Sequence, residues 1–195
     1  MMSLFDISFL NSFLANFFAA IVVAFLFFLL REKVFKIPDF GGRLYLRQIT
    51  KETVYNPYKN MELQYVLSLR LDGSKVFGSA EKIYEDSSEG MKKKHVIHYE
   101  GKNRTICIIE GSIQKKYLSF YDLLVFHSFE ENENRKSTTY YSVRIYKRYY
   151  LFGELIFKNG YFISTIASQK GSIEVSFDEF SKKKQTSSKN IILLD

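Results

Sequence analysis

Basic and aromatic residues alternate in this chain where the sequence has the period of a β-strand. Arg43, Tyr45 and Arg47 are spaced two apart, so on a strand their side chains share one face. The loop that follows adds Tyr55, Tyr58 and Lys59. Guanidinium and ammonium groups bind phosphate, and aromatic rings stack on bases, so these residues point to a nucleotide-like anion as ligand. The alternative is a solvated outer face, or one that contacts anionic lipid headgroups.

The sequence contains no recognisable enzyme motif. It has no Gly-rich phosphate loop, no GxSxG and no Cys/His cluster at metal-ligand spacing. His95, His98 and His127 are scattered, and no nucleophile is placed beside a possible acid/base pair of Asp122 and His127. The single cysteine, Cys107, excludes an internal disulfide and fits a reducing compartment. We therefore expect a protein that is not an enzyme and that has neither a metal site nor a cofactor.

The chain has a net charge of +7, and all of its Lys and Arg residues follow an uncharged apolar segment. Residues 7–30 would form a helix of about 36 Å, enough to cross a bilayer core of about 30 Å. A secretory signal peptide is the alternative, but the basic n-region and the small-residue cleavage site are missing. Arg31, Lys33 and Lys36 follow directly, and the positive-inside rule then places the rest of the chain in the cytoplasm.

Small and polar residues recur every four positions within this segment. Asn16, Ala20 and Ala24 therefore share one face of the predicted helix. Small residues let helices approach closely, and an amide in hydrocarbon gains from a partner on another helix, so this face could mediate self-association. The alternative is that alanine is simply common in membrane helices and that Asn16 reaches water at the interface.

Beyond Pro38 and Gly41-Gly42 the pattern alternates with a period of two, which predicts strands. Leu63 to Leu71 reads as a half-buried strand, Asp72-Gly73 as a hairpin turn, and Val76 to Tyr84 as the returning strand. A first strand is predicted at 43–54, and later ones at 94–99, 105–109, 117–127, 137–146, 149–157, 161–167 and 172–177. Turns are predicted at 100–103, 130–134, 159–160 and 170–171.

Eight to ten short strands joined mostly by hairpins can close into an up-and-down barrel, with a sandwich as the alternative. A barrel of about eight strands either fills its interior with side chains or holds one small ligand. The predicted organisation is a transmembrane helix and juxtamembrane segment at 1–36, a β-barrel domain at 37–180 and a basic flexible tail at 181–195. The apolar end of that tail, 191–194, could add an edge strand or touch the membrane.

Several stretches resemble a known family. Residues 53–61 read TVYNPYKNM, 76–82 read VFGSAEK, 160–167 read GYFISTIA and 171–175 read GSIEV. They are similar to the membrane-anchored β-barrel effectors of bacterial cyclic-oligonucleotide anti-phage signalling (CBASS), also described as minimal STING-like effectors. Members commonly carry two membrane helices, whereas this chain has one apolar run.

The resemblance implies a lipocalin-like barrel of about eight strands behind a segment in the bacterial inner membrane. It implies that the barrel binds a cyclic dinucleotide made by a partner nucleotidyltransferase, and that binding drives homo-oligomerisation, membrane damage and abortive infection. With the chemistry above, the matching stretches give these ligand-binding candidates: Arg43, Arg47, Tyr55, Tyr58, Lys59, Lys82, Ser164 and Thr165.

Two other functions remain open from the sequence. Barrels of this size often enclose apolar ligands, so the chain could be a membrane-tethered, lipocalin-like binding module for a lipid or another small apolar molecule. It could also be an adaptor whose barrel binds a protein partner.

Overall fold

The structure is a computed structural model that describes residues 4–30, 40–101, 104–116, 119–132, 135–146 and 155–180. An N-terminal helix, α1, spans Leu4–Leu29, and a one-turn helix, α2, spans Ser88–Met91. The described strands are β1 Gly42–Glu52, β2 Glu62–Asp72, β3 Lys75–Asp86, β4 Val96–His98, β5 Ile106–Gln114, β6 Tyr121–Asn132, β7 Arg135–Tyr146, β8 Phe157–Ser164 and β9 Lys170–Ser176.

The strands close into an antiparallel barrel. Following the hydrogen-bonded neighbours, the order is β2-β1-β9-β8-β7-β6-β5-β3, and a further pairing of β2 with β3 completes the ring. Among the described strands, the short β4 pairs with the end of β3, at Tyr84, Glu85 and Asp86, beyond the part that β5 occupies. Closure leaves these eight strands without free edges. The predicted mainly-β fold with an eight-stranded up-and-down barrel is thus confirmed, and the sandwich alternative is wrong.

The alternating sequence pattern separates the inside of the barrel from the outside. On β1, Leu44 and Leu46 are buried in the interior, whereas Arg43 is exposed on the outer face. We call the end of the barrel where β1 begins the near end, and the opposite end the far end. The near end and the middle are filled by apolar side chains, including Leu44, Leu69, Val76, Ile113, Leu124, Val143 and Ile145. Burial of this apolar surface is the main force that holds the barrel together.

The helix α1 is continuous over 26 residues, about 39 Å at 1.5 Å per residue. Its stretch Ser8–Leu29 has a mean hydropathy of 2.4, and none of it is buried by the protein. The prediction of one N-terminal apolar helix long enough to cross a membrane is confirmed. The predicted orientation rests on Arg31, Lys33 and Lys36, which lie outside the described residues, as does the predicted tail, 181–195.

Two predicted turns are wrong because their glycines serve close packing instead. Asn159-Gly160 lies inside β8, where Asn159 adopts a φ of 52° at a register shift, and Gly171 lies inside β9. A Cβ on Gly171 would lie 1.9 Å from the carbonyl oxygen of Ile49, so no side chain fits there. A glycine within a strand often marks such a close approach. The real connection between β8 and β9 contains a 3₁₀ turn at Ile166–Ser168.

The predicted hairpin between β2 and β3 is correct in place but shifted by one residue. Asp72 pairs with Lys75, so the loop is Gly73-Ser74. Gly73 has a φ of 60°, as a II′ turn requires at its first central residue. The strand predicted at 149–157 lies almost wholly outside the described residues, and β8 begins only at Phe157.

Candidate ligand-binding sites

An outer groove of about 580 Å³ crosses the outer face of β1, β2 and β3. Its floor is formed by the outward side chains of these strands, with Tyr45 opposite Val66 and Arg43 opposite Ser68. The groove is also lined by β4, by the segment that follows it and by the residues after β9. Aromatic side chains along it are Tyr45, Tyr84, Tyr99 and Phe180. The volume lies within the roughly 300 to 1,000 Å³ that is usual for small-molecule sites.

The two arginines of β1 have different surroundings in the outer groove. Arg43 is exposed and makes no ion pair or hydrogen bond with a described residue. Arg47 donates from Nη2 to Oε2 of Glu174 at 2.5 Å, and its guanidinium carbon lies 5.2 Å from the centre of the Phe180 ring. The Nε atom of Arg47 is buried without a hydrogen-bond partner. Phe180 thus covers a guanidinium that retains an unused donor.

The charge of the outer groove is mixed. Arg104 donates from Nη1 to Oε2 of Glu81 at 2.8 Å, so one of the three lining arginines is already paired inside the groove. Among the described residues, the lining carboxylates are those of Glu62, Glu81, Glu100 and Glu179. An anionic ligand would therefore depend most on Arg43, and a carboxylate such as Glu179 would oppose it.

A second concave site, the inner cavity, lies inside the barrel at its far end and has a volume of about 250 Å³. The described residues that line it are Gln48, Tyr58, Met61, Leu63, Tyr65, Lys82, Glu85, Glu130, Ser137, Thr139, Ser164, Ile166 and Gln169. Most of these side chains carry polar atoms, in contrast to the apolar filling of the near end. The barrel interior thus changes from apolar to polar along its axis.

A register shift in β3 places two charged side chains together in this cavity. Lys82 pairs with Tyr65 and Tyr84 with Gln64, so one residue, Ile83, is extra in β3. The shift reverses the alternation, and both Lys82 and Glu85 consequently point inward. Lys82 Nζ lies 3.4 Å from Glu85 Oε2.

The hydroxyl of Tyr99 joins this ion pair from the adjoining segment. It donates to Glu85 Oε2 at 2.9 Å, and Lys82 Nζ lies 4.9 Å from the centre of the Tyr99 ring. Burial is the largest single effect and opposes the charged form of Lys82, but Glu85, Tyr99 and Glu130 together outweigh it, and the pKa of Lys82 is raised. Lys82 is therefore a charged ammonium held in place by protein groups.

Other titratable groups near the inner cavity are held neutral. Burial, followed by the nearby Glu130 carboxylate, raises the pKa of the Cys107 thiol to about 12. Burial likewise raises the pKa values of Tyr65 and Tyr141. The hydroxyl of Tyr141 donates to Oε1 of Gln48 at 3.1 Å. Cys107 is thus an unreactive thiol of the core.

The structure divides the predicted ligand-binding residues between the two sites. Arg43 and Arg47 line the outer groove, whereas Tyr58, Lys82 and Ser164 line the inner cavity. Neither of these two sites therefore contains both groups.

The remaining predicted binding residues lie near the far end of the barrel. Tyr55 is exposed, and its ring lies 4.9 Å from that of Tyr58 in an edge-to-face arrangement. Lys59 is exposed after a 3₁₀ turn. Thr165 accepts a hydrogen bond from the backbone N–H of Thr138 and donates one to its carbonyl, each at 3.2 Å. Thr165 thereby links β7 to the turn after β8.

Several residues of both sites were not among those predicted from the sequence. Gln48 has the same strand phase as Leu44 and Leu46. This phase alone predicts that the polar side chain of Gln48 points into the barrel. Glu85 could not be found in this way, since the register shift at Ile83 reverses its phase. Other residues missed were Tyr65, Arg104, Glu130 and Phe180.

The residues predicted for self-association lie in the N-terminal helix. Asn16, Ala20 and Ala24 are exposed within the continuous α1.

Among the described residues, no group of three or more His, Cys, Asp or Glu side chains could hold a metal ion.

Fold and sites together define a closed, eight-stranded antiparallel barrel with two concave sites, preceded by an apolar helix. No protein-family model, no curated protein and no solved structure matches this chain.

Proposed function

We propose that this chain is a membrane-anchored ligand sensor whose barrel binds a cyclic dinucleotide in the cytoplasm. The anchor is supported by α1, because a helix with this hydropathy and no protein covering it needs an apolar surrounding. The cytoplasmic side is supported by the basic residues Arg31, Lys33 and Lys36 directly after the helix. The bacterial inner membrane follows from the family resemblance.

The observation that carries the binding proposal is the outer groove. It has the volume of a small-molecule site, an exposed guanidinium at Arg43 and aromatic side chains on which bases could stack. The inner cavity, at about 250 Å³, is below the usual size range of small-molecule sites, which disfavours a ligand as large as a cyclic dinucleotide. We therefore assign the cyclic dinucleotide to the outer groove.

The resemblance extends this proposal to anti-phage defence. A partner nucleotidyltransferase would make the signal, and ligand-bound barrels would assemble so that helices meet through the face of Asn16, Ala20 and Ala24. The clustered helices would then damage the membrane and cause abortive infection. The ligand must bind the assembled form more tightly than the dispersed form, because equal affinity would shift nothing.

The alternative of a carrier for an apolar ligand has less support. A lipid tail needs an apolar cavity, whereas the inner cavity is lined by side chains such as Gln48, Lys82 and Glu130, and the near end is filled by the core. Full-length protein in lipid nanodiscs should bind cyclic dinucleotides in calorimetric titration and show no saturable binding of fatty acids. The reverse result would favour the carrier.

Charge-changing variants test the outer groove directly. Arg43→Ala should weaken cyclic dinucleotide binding about 10- to 100-fold, since hydrogen bonds to charged groups contribute about 1.5 to 3 kcal/mol. Glu179→Gln should tighten binding by about two- to fivefold, since it removes a repelling charge. Arg70→Ala is the matched control, because Arg70 is exposed on β2 but does not line the groove. Equal effects of Arg43→Ala and Arg70→Ala, or weaker binding by Glu179→Gln, would contradict the assignment.

A further inference from the structure

The near end of the barrel is the end to which the N-terminal helix is attached. The helix α1 ends at Leu29. Phe40, just ahead of β1, is 4% exposed, and its ring lies 5.8 Å from that of Phe157 at the start of β8. The chain is thus fixed to the barrel from Phe40 onward. Eleven peptide bonds link Leu29 to Phe40, and at about 3.6 Å per residue they span at most about 40 Å. A membrane crossed by α1 therefore lies within reach of this end.

An aromatic side chain projects into solvent at the near end. Phe120, directly before β6, is 89% exposed, which is the highest value for a large hydrophobic side chain among the described residues. Hydrogen bonds hold its loop. The backbone N–H of Lys116 donates to Oδ1 of the buried Asp122 at 2.9 Å, and that of Ser119 donates to the Lys116 carbonyl at 3.3 Å. The loop therefore presents an apolar ring to water, where its exposure is unfavourable.

Basic and apolar side chains accompany Phe120 at the near end. Phe177, directly after β9, is 50% exposed. Lysines lie beside the ends of two other strands, Lys115 and Lys116 after β5 and Lys158 near the start of β8. The hairpin turn at this end adds one charge of each sign, at Asp72 and Lys75, and Asp178 adds an exposed carboxylate. We call the surface formed by the two phenylalanines and the three lysines the near-end rim: Lys115, Lys116, Phe120, Lys158 and Phe177.

We propose that the near-end rim docks onto the anionic surface of the membrane that α1 crosses, with Phe120 inserted among the lipid headgroups. Aromatic rings and lysines together bind lipid interfaces, because the ring leaves water and the ammonium groups attract anionic headgroups. Attachment of α1 at the same end keeps the rim close to the membrane, so weak contacts suffice. The inference rests on the proposed membrane anchor and is independent of the proposed dinucleotide site.

The chain contains no tryptophan, so a single introduced tryptophan is a unique fluorescent reporter. Full-length Phe120→Trp protein is placed in nanodiscs of anionic phosphatidylglycerol, with and without lipid brominated near the headgroup end of its acyl chains, which quenches tryptophan on contact. Val54→Trp and Ile108→Trp are the controls, because Val54 is 80% exposed at the far end and Ile108 is 61% exposed on the outer wall. The emission of Phe120→Trp should be blue-shifted and quenched, and that of both controls should be neither.

Changes of lipid and of charge test the electrostatic part of the docking. Zwitterionic phosphatidylcholine in place of phosphatidylglycerol should weaken the quenching of Phe120→Trp. Addition of Lys158→Gln to Phe120→Trp should lower the ratio of docked to undocked barrels about fivefold, the contribution of one basic residue at an anionic surface. Lys170→Gln is the matched control, because Lys170 is exposed at the far end, where β9 begins. Equal effects of the two lysine changes would contradict docking through the rim.

The failure of this inference and that of the proposed anchor are distinguishable. Protein that does not enter nanodiscs would overturn the anchor and this inference with it. Anchored protein in which Phe120→Trp stays unquenched, or in which Val54→Trp or Ile108→Trp is quenched as strongly, would overturn the docking alone.

Discussion

Replacement of Lys82 by methionine removes the one ammonium group among the described residues that line the inner cavity. Methionine keeps an unbranched side chain of similar length, so the packing of the alkyl stem is largely retained. The change leaves Glu85 and Glu130 without their shared cation. The perturbation is therefore mainly electrostatic, and its size follows from how far water screens the pair.

The side chains of Lys82 and Glu85 are 16% and 17% exposed. Removal of one partner from a fully buried ion pair costs about 3 to 5 kcal/mol, whereas a surface pair contributes about 0 to 1 kcal/mol. The partial exposure places Lys82→Met between these limits, at about 1 to 3 kcal/mol. At about 4 °C per kcal/mol for a domain of this size, the Tm should fall by about 4 to 12 °C.

The assay is thermal unfolding of full-length protein in nanodiscs, with Lys75→Met as the matched control. Lys75 is exposed at the start of β3, and its replacement should leave the Tm nearly unchanged. The pH dependence provides a second readout. The pKa of Lys82 is raised, so its stabilisation is present below the unfolded value of about 10.4 and is lost as the pH rises through the higher folded value.

The difference in Tm between wild type and Lys82→Met should therefore be constant from about pH 7 to 9 and shrink above about pH 10.5. Equal Tm values for Lys82→Met and Lys75→Met at pH 7 would refute the burial of this ion pair. A difference that persists undiminished at high pH would show that lost packing, not lost charge, causes the effect.

Three further predictions concern the helix, the thiol and the barrel closure. Asn16→Leu should weaken membrane damage in a liposome leakage assay and leave ligand affinity unchanged. Asn11→Leu, on another face of α1, is the control and should have no effect. Unchanged membrane damage by Asn16→Leu would exclude a role for this helix face. Cys107 is 2% exposed with a pKa raised to about 12, so iodoacetamide at pH 8 should modify it only after unfolding, and rapid native labelling would contradict its burial. Gly171→Ala would place a Cβ against the Ile49 carbonyl between β1 and β9, so the Tm should fall by about 4 to 12 °C, and a wild-type Tm would contradict this pairing.

The fold could be predicted from the sequence because both of its signals are periodic. An uninterrupted apolar run gives α1, and alternation with a period of two gives the strands, whose number favours closure. The turns were less predictable, since glycine permits both a turn and a close approach. Gly73 has a positive φ in a hairpin, whereas Gly171 fits under the Ile49 carbonyl within a strand. Only the register of neighbouring strands distinguishes these two uses.

The candidate sites could be predicted only in part. Arg43 and Arg47 were grouped correctly on one outer face, because strand phase alone decides this. Lys82 has the same strand phase as the buried Val76 and Ala80, so its inward position could have been predicted in the same way. The pairing of Lys82 with Glu85 depends in addition on the register shift at Ile83, which no periodic pattern reveals.

The most direct test of the proposed cyclic dinucleotide site in the outer groove is photo-crosslinking with an azido cyclic dinucleotide on full-length protein in nanodiscs. Mass spectrometry of the labelled peptides identifies the site, and excess unmodified ligand should compete for it. The label should fall on the aromatic side chains of the groove floor, Tyr45 or Tyr84. A competed label on Tyr58 or Tyr65 of the inner cavity, or no competed label at all, would contradict it.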